Sequence, residues 1–444
     1  MADVLTGWGR TAPTAAEVRR APTAAGVADA IRHAGLRGLV VRGLGRSYGD
    51  AAQNAGGTVL TLRDGTPADL PEVVDATITV PAATDLDTLL RHIVPRGWFI
   101  PVSPGTRQVT LGGALAADVH GKNHHRDGSL SAHVTSIDLV DGTGTLRTLT
   151  PSDELFWAVP GGMGLSGVIT SVTLRLRPVT SGWMTVRTER TADLDQTIAA
   201  LDAADHSTYS VAWVDSLARG PGHGRGIVSS AEHTPAVELS PARRDPLAFA
   251  PAKGAPAPPW APSVLLNRYS VRAFNTAYFH AAAGRARVSV GQHHAAGFFH
   301  PLDAVRGWNR LYGRDGFVQY QFLSADVEVV RWALARFAAA RAPSFLTVLK
   351  RFGPGGSAPM SFPRAGWTLA VDLPRALPGL AQLLDQVDER VAGSGGRVYL
   401  AKDARLRPEL LAVMYPELDR WRMLRAELDP RGVFVSDLSR RLSL

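Results

Sequence analysis

The chain has 444 residues, of which 45% are apolar and 20% charged, a composition typical of a folded protein large enough for two domains. The absence of cysteine excludes disulfides, thiolate metal sites and cysteine nucleophiles. No apolar run reaches the roughly 18 residues of a membrane span, and the first residues lack the pattern of a signal peptide. We therefore expect a cytoplasmic protein, or one held peripherally at the cell membrane or envelope.

The formal net charge is +8 and the sequence pI is about 10.1. A GC-rich genome that favours Arg over Lys would produce this balance without any functional cause. An anionic substrate or an anionic membrane surface would also favour it. Nucleic acid is the less favoured partner, because the basic residues are dispersed and no helix-turn-helix or zinc-finger spacing occurs.

The first third of the chain predicts a mixture of helices and strands. Residues 14–33 predict a helix that buries Val27 and Ile31, and "GLVVRG" predicts a short buried strand. The segments 58–62 and 76–80 alternate as strands do. A second helix is predicted behind a Thr84–Asp85 cap by apolar residues spaced i, i+3, i+4 and i+7, namely Leu86, Leu89, Leu90 and Ile93.

Strands dominate the rest of the prediction. "SIDLVDGTGTLRTLT" predicts a hairpin around Asp141 and Gly142, and "GVITSVTLRLRPV" predicts a long strand. The Pro-, Ala- and Gly-rich range 218–263 predicts a mobile loop within a second domain. Strand patterns then resume in "GFVQYQFL", "SFLTVLKRFG" and "GWTLAVDLP".

Residues 41–54, "VRGLGRSYGDAAQN", form a glycine-rich loop between two predicted strands. A G-x-G-x-x-G dinucleotide pattern fails here, because Tyr48 occupies the sixth position and no helix follows. A strand–loop–strand segment can still offer backbone N–H groups to an anion. A glycine-rich turn without a ligand is the alternative interpretation.

Two further segments are rich in small residues: "PVSPGTRQVTLGGALAADVHGKNHH" (101–125) and "PGGMGLSGVI" (160–169). Small residues at this density allow a flat or extended ligand to lie against the backbone. Three such stretches within about 180 residues indicate a long ligand that contains both a pyrophosphate and a ring.

The three segments together resemble the FAD domain of the vanillyl-alcohol-oxidase-type flavoproteins. Longer peptides, including "LTGWGRTAP", "HPLDAVRGWNRLYG", "AKDAR" and "SDLSRRL", extend the resemblance from about residue 5 to the C-terminus. Within the family they resemble the actinobacterial oxidases of decaprenyl-phosphoryl ribose. The resemblance implies an α+β fold: a PCMH-type FAD-binding domain at 1–180, an antiparallel-sheet substrate domain at 181–396, and a return to the FAD domain at 397–444.

The same resemblance implies where FAD binds. Binding is expected to be non-covalent, because the pyrophosphate loop carries Tyr48 and lacks the flavin-linking His of many relatives. The implied FAD contacts are Arg42, Gly43, Leu44, Gly45, Arg46, Ser47, Tyr48, Gly49, Asp50, Gly105, Thr110, Gly112, Gly113, Ala117, Asp118, His120, Ile169, Tyr399 and Lys402.

The implied reaction oxidises the 2′-hydroxyl of polyprenyl-phosphoryl-β-D-ribose to the 2′-keto sugar. This is the first half of an epimerisation that supplies arabinose for cell-wall arabinan, and a separate NAD-dependent short-chain ketoreductase completes it. Lys402 and His120 are the implied proton acceptors, with Tyr48 in support. The implied substrate contacts are Lys122, Lys350, Gln319, Tyr320 and Gln321.

Two other functions stay open: an aldonolactone- or alditol-type oxidase that uses O₂, and a flavin-storing protein without activity. A metal site is not expected, because neighbouring histidines on an extended chain (124–125 and 293–294) point to opposite faces. Four positions depart from the mycobacterial relatives toward lower polarity, which leaves the sugar and the lipid length open: Val211, Phe299, Thr368 and Ala370.

Overall fold

The computed structural model describes residues 2–63, 69–241, 243, 245–251, 253–258, 266–282, 284 and 286–444. The strands among these residues are β1 Asp3–Leu5, β2 Thr14–Arg20, β3 Leu39–Val41, β4 Thr58–Thr61, β5 Thr77–Pro81, β6 Trp98–Phe99, β7 Val134–Val140, β8 Leu146–Leu149, β9 Val168–Arg175, β10 Arg177–Pro178, β11 Trp183–Thr191, β12 Tyr209–Val214, β13 Gly226–His233, β14 Ala255–Pro256, β15 Val288–His294, β16 Val305–Arg306, β17 Phe317–Ser324, β18 Thr347–Phe352, β19 Gly366–Pro374 and β20 Arg397–Val398.

The α-helices of the same residues lie between and beside these strands. They are α1 Ala24–Arg32, α2 Leu86–Ile93, α3 Leu111–Ala116, α4 His124–Asp127, α5 Leu194–Ala203, α6 Arg268–Ala281, α7 Ala295–Phe299, α8 Val327–Ala339, α9 Leu380–Gly393, α10 Pro408–Met414, α11 Leu418–Leu428 and α12 Asp437–Leu442. None of the described helices is long and apolar enough to cross a bilayer.

Three larger sheets organise the chain. A four-stranded sheet has the order β1-β2-β4-β3, with β4 parallel to both of its neighbours, and a second has the antiparallel order β5-β9-β7-β8. The third sheet has eight antiparallel strands in the order β15-β11-β13-β12-β18-β19-β17-β20. The α+β fold class is thereby confirmed.

The C-terminal segment packs against the N-terminal part of the chain. The backbone N–H of Leu39 donates to the carbonyl of Val433, and that of Val435 donates back to Leu39, both at 2.9 Å. This pairing places residues 433–435 beside β3. The division into units at residues 180 and 396 stays a prediction.

Local sequence signals correctly predicted several elements. Helix α2 begins where Asp85 accepts a hydrogen bond from the Thr88 N–H at 2.8 Å, and its four predicted apolar residues are buried. The β7–β8 hairpin closes around Asp141, whose Oδ1 accepts from Thr143 N at 2.9 Å and from Thr145 N at 3.0 Å. The glycine-rich loop joins β3 to β4 without an intervening helix, as expected.

The predicted helix over residues 14–33 was wrong in its first half. Residues 14–20 form β2, which pairs with β1 on one side and β4 on the other. Backbone pairing on both edges outweighs the helical preference of this Ala-rich stretch. Pro22 then separates strand from helix, and Thr23 caps α1 by accepting from Gly26 N at 3.1 Å.

The predicted loop at 218–263 was also too wide. Residues 226–233 of that range form β13, which lies between β11 and β12 inside the eight-stranded sheet. The strand pattern of "GIVSSAEH" was masked by the Pro- and Gly-rich sequence on either side of it. Residues 242, 244, 252 and 259–263 of the expected loop lie outside the described residues.

Candidate active site

A narrow cavity lies where the glycine-rich loop after β3 meets the start of α3. Eleven of the predicted FAD contacts line this cavity: Arg42, Gly43, Leu44, Gly45, Arg46, Ser47, Thr110, Gly112, Gly113, Ala117 and Ile169. Gly164 and Gly167 from the third glycine stretch complete the wall. All three small-residue segments therefore meet at one site.

Two glycines of this cavity, Gly113 and Gly164, have little protein around the position that a Cβ would take. A Cβ on Gly113 would meet only the Thr110 hydroxyl, at 2.9 Å, and a Cβ on Gly164 would meet no atom within 4 Å. The loop itself is held by Arg42, which donates to the carbonyls of Thr6 at 2.7 Å and Ala52 at 3.0 Å. A fixed loop of exposed backbone amides beside two basic side chains suits the pyrophosphate of FAD.

A second, larger cavity of about 1200 Å³ adjoins the first and shares Arg46, Ser47, Gly113 and Ala117 with it. The other site residues predicted from the sequence that line this larger cavity are Tyr48, Gly105, His120, Lys122, Gln319, Gln321, Lys350, Tyr399 and Lys402. A ligand that extends along the first cavity would therefore present its end to these side chains. Val211, Phe299 and Ala370, three of the four positions that depart from relatives, also line the larger cavity.

The floor of the larger cavity is one face of β18, β19 and β17. Side chains alternate between the two faces of a strand, so Gln319 and Gln321 share a face. The strand register sets Gln319 opposite Asp372 and Gln321 opposite Ala370. The amide of Gln319 donates to the buried carboxylate of Asp372. Asp372 was absent from the sequence prediction, because only this register brings it to the site.

Lys402 lies on a short turn that packs against the glycine-rich loop. The Tyr48 N–H donates to the carbonyl of Ala401 at 2.9 Å, and the Lys402 ammonium lies 5.7 Å from the centre of the Tyr48 ring. Burial lowers the pKa of Lys402 below its usual 10.5, while the nearby charge of Asp372 raises it in part. Lys402 is therefore a buried amine that can change its protonation state.

His120 and Lys350 form a contact pair in the same cavity. The Lys350 Nζ lies 2.9 Å from His120 Nδ1 and donates to the carbonyl of Gly121 at 3.3 Å. Burial and the charge of Lys350 hold the pKa of His120 well below 6.5. Burial, with the charges of Lys402 and Lys122, holds the pKa of Lys350 well below 10.5. Both groups therefore favour their uncharged forms.

Lys122 occupies the opposite wall, where its ammonium donates to the carbonyl of Phe298 and lies 4.0 Å from the centre of that ring. Burial lowers the pKa of Lys122 to about 7. An anion beside this amine would favour its charged form.

Four predicted site residues do not line either cavity. Tyr320 lies on the other face of β17, where its hydroxyl donates to Asp388 at 2.7 Å. Asp118 is buried and accepts from Ser129 at 2.8 Å. Two neighbours in the glycine-rich loop serve its packing instead: Gly49 lies against the backbone of residue 403, and Asp50 pairs with an arginine of α12 at 2.8 Å.

Lysine is rare in this chain, and its placement is not random. The sequence has four lysines and 44 arginines. All four line the larger cavity: Lys122, Lys253, Lys350 and Lys402. Lys253 was missed by the sequence prediction, although the scarcity of lysine was a signal that could have identified it.

The two histidine pairs lie on different elements of the structure. His124 begins α4, so the expectation that this pair lies on an extended chain was wrong, whereas His293 and His294 end β15. Within the described ranges no group of three or more His, Asp or Glu side chains is arranged to hold a metal ion.

Comparison with known proteins agrees with this geometry. Residues 15–150 match the family model of the FAD binding domain, and residues 377–442 match that of D-arabinono-1,4-lactone oxidase. The chain is 39% identical to decaprenylphosphoryl-beta-D-ribose oxidase of Mycolicibacterium smegmatis over 451 residues, covering 99% of this chain and 97% of the relative.

More distant relatives match shorter parts. The chain is 27% identical to an alditol oxidase of Streptomyces sp. over 180 residues, 40% of this chain and 43% of the relative. It is 36% identical to cytokinin dehydrogenase 10 of Oryza sativa subsp. japonica over 96 residues, 21% and 16% of the two chains. The chain is an FAD-dependent oxidoreductase, and it belongs to the same family of vanillyl-alcohol-oxidase-type flavoproteins as the decaprenylphosphoryl-beta-D-ribose oxidase of Mycolicibacterium smegmatis.

Proposed function

We propose that this oxidoreductase oxidises the 2′-hydroxyl of a polyprenyl-phosphoryl ribose to the ketone, and that a separate NAD-dependent ketoreductase uses the product. One observation carries the proposal: every lysine of the chain lines the cavity that adjoins the FAD cavity. A sugar that carries a phosphate needs both a proton acceptor for its hydroxyl and cations for its phosphodiester, and lysines that line one cavity can supply each. The similarity to an oxidase named for this substrate class supports the same conclusion.

Alcohol oxidation requires a group that removes the hydroxyl proton, and FAD, when bound, supplies the hydride acceptor. Lys402 is the proposed proton acceptor, because burial favours its uncharged amine. His120 is the second candidate, with Tyr48 positioning Lys402 through the contact between them. Gln319 and Gln321 offer amide groups to the sugar hydroxyls from the cavity floor.

The phosphate is proposed to bind near Lys122 and Lys253, where an anion would stabilise the charged form of Lys122. This assignment leaves Lys350 to contact a sugar oxygen. Added salt should weaken the attraction between the phosphate and Lys253, which is exposed, since the attraction between exposed charges is screened over about 10 Å at 0.1 M ionic strength.

The proposed substrate can be tested by anaerobic mixing of the holoenzyme with farnesyl-phosphoryl ribose. We expect loss of the yellow absorbance of oxidised flavin with this ligand. Little change is expected with the matching arabinoside or with free ribitol, which lack the reacting configuration or the phosphate. Equal reduction by ribitol would contradict the proposal.

The alternative is an alditol- or aldonolactone-type oxidase. It is favoured by the match of residues 377–442 to D-arabinono-1,4-lactone oxidase and by the partial similarity to an alditol oxidase. Such an enzyme would turn over ribitol in air and release hydrogen peroxide, independently of phosphate and of moderate salt.

We further propose that FAD is bound without a covalent link. The glycine-rich loop of residues 42–50 contains Tyr48 and no histidine. Acid precipitation should therefore release the yellow colour into the supernatant, whereas colour that stays with the pellet would indicate a covalent flavin.

Helix α6 supports peripheral contact with an anionic membrane. Its residues include no acid, and its exposed side chains combine Arg268 and Arg272 with Tyr269, Phe274 and Tyr278. Basic and aromatic residues on one helix are typical of membrane-interface segments. Tyr278 also lines the larger cavity, so a lipid-linked sugar held at the bilayer surface would lie close to its entrance.

Substitution Phe274→Ser should weaken binding to vesicles that contain anionic lipid by several-fold, because it removes an aromatic side chain from the interface. The measurement is co-sedimentation of the holoprotein with anionic and with neutral vesicles. Met423→Ser is the matched control, since Met423 is also an exposed apolar side chain but lies on α11. Equal binding of both variants would exclude α6 as the contact surface.

A further inference from the structure

Four buried side chains form a continuous hydrogen-bonded chain from β19 to the larger cavity. The Gln321 Nε2 lies 2.9 Å from the Thr368 hydroxyl and 3.0 Å from His120 Nε2. His120 Nδ1 in turn lies 2.9 Å from Lys350 Nζ. Thr368, Gln321 and His120 are at most 8% exposed, so water does not compete freely for these atoms.

The Thr368 hydroxyl determines which groups donate and which accept along these hydrogen bonds. Its single hydroxyl proton is donated to the backbone carbonyl of Phe322 at 2.9 Å, and a carbonyl can only accept. The Thr368 oxygen must therefore accept from Gln321, which places the NH₂ end of the amide between Thr368 and His120. That NH₂ group has two protons, one for each of the two partners.

The protonation of His120 follows from the orientation of Gln321. If Nε2 of His120 accepts from the amide, the neutral ring carries its proton on Nδ1. That N–H faces Lys350 Nζ, which can accept it only with the lone pair of an uncharged amine. We propose that Thr368 is a positioning residue that holds His120 as the Nδ1–H tautomer and thereby holds Lys350 uncharged.

The surrounding charges support this arrangement. Lys402, Lys122 and His124 are the titratable groups that act on the His120–Lys350 pair, and none of them is an anion. Adding a proton to the pair would place a further positive charge among them without a counterion. Asp372, the carboxylate of the cavity floor, acts instead on Lys402.

In the alternative arrangement, the donor and the acceptor are exchanged in every hydrogen bond of this chain. A rotated Gln321 amide would accept from Nε2–H of His120, and Nδ1 would accept from a charged Lys350. This rotation would also require Thr368 to turn its proton from the Phe322 carbonyl to the amide oxygen. Thr368→Val removes the hydroxyl and with it the requirement that Gln321 donate to residue 368. This variant should therefore permit the alternative arrangement.

The consequence for binding rests on the proposed function. An uncharged Lys350 uses its lone pair for His120 and one N–H for the Gly121 carbonyl. Its remaining N–H is then free to donate to a sugar oxygen, without the attraction for phosphate that an ammonium would have. Lys350 would thus separate the sugar end of the cavity from the phosphate end at Lys122.

The test is ¹⁵N NMR of the holoprotein labelled at histidine, in which long-range ¹⁵N–¹H correlations distinguish the two neutral tautomers. His120→Gln identifies the signals of His120. We expect the Nδ1–H tautomer in the wild type, a shift toward Nε2–H in Thr368→Val, and recovery of Nδ1–H in Thr368→Ser, which restores the hydroxyl. Flavin absorbance and thermal denaturation show whether each variant is folded.

An Nε2–H tautomer in the wild type would overturn the proposal by itself, even if Thr368→Val failed to fold. An unchanged tautomer in a folded Thr368→Val variant would also overturn it. The measurement uses no substrate, so its outcome is distinguishable from a failure of the proposed function. If only the proposed function is wrong, the tautomers will still be as expected, but farnesyl-phosphoryl ribose will leave the flavin oxidised.

Discussion

Lys402→Ala is expected to keep its FAD and its fold but to reduce the flavin at least about 100-fold more slowly with farnesyl-phosphoryl ribose, the usual scale for loss of a positioned acid or base. The side chain ends in the cavity. The turn is held through the backbone, where the Lys402 N–H donates to the Tyr399 carbonyl at 2.9 Å. Anaerobic stopped-flow absorbance measures the rate constant directly.

The pH dependence of the same reaction tests the role of Lys402. The proposed reactive form is the uncharged amine, so the rate constant should rise with pH. Burial lowers the pKa of Lys402, so this rise should occur at a lower pH than an ordinary lysine would give. Lys402→Ala should lose the rise.

Arg407→Ala is the control for removal of a nearby positive charge. Arg407 lies outside both cavities and pairs with Glu389 at 2.7 Å on the surface. Wild-type rates are expected for this variant. A wild-type rate in Lys402→Ala would instead assign proton removal to another group.

Gly49→Ala is expected to give the largest loss of stability among single small substitutions in the glycine-rich loop. A Cβ at residue 49 would lie 1.9 Å from the carbonyl oxygen of Asp403 and 2.9 Å from Cα of Ala404. Both obstacles are backbone, so no side-chain rotation can relieve the clash. Overpacking of this kind costs about 1–3 kcal/mol or more.

The clash would also separate the glycine-rich loop from the turn that carries Lys402. Gly49→Ala should therefore lower the melting temperature by several degrees and weaken FAD retention, measured by flavin fluorescence on heating. Gly35→Ala is the matched control, because a Cβ there meets no atom within 4 Å. Equal melting temperatures for the two variants would show that the loop and the turn are not in close contact.

The sequence predicted elements whose causes are local. The cap at Asp85 and the apolar spacing behind it are contained in one turn of helix, and the α2 prediction was correct. Strand β2 was not predictable in this way, because its partners lie in β1 and β4. The same limit applies to β13, whose strand pattern is short and flanked by loop-like sequence.

The candidate site likewise contains residues that local sequence predicts and contacts that it does not predict. The three glycine-rich segments could be recognised from composition and resemblance, and they do meet at one cavity. Period-two alternation alone would have separated Tyr320 from Gln319 and Gln321. By contrast, the contact of Gln319 with Asp372 depends on the register of two strands more than 50 residues apart, and the Thr368–Gln321–His120 contacts join three segments that no local pattern connects.

The confinement of lysine to one cavity has a practical consequence for chemical labelling. Apart from the terminal amine, every primary amine of the chain lines the cavity of the proposed reaction. Reductive methylation with ¹³C-formaldehyde would therefore place isotopic probes in that cavity and, apart from the terminus, at no other amine of the protein. Each resolved methyl resonance would report on ligand binding without mutagenesis, and the extent of modification could be counted by intact mass.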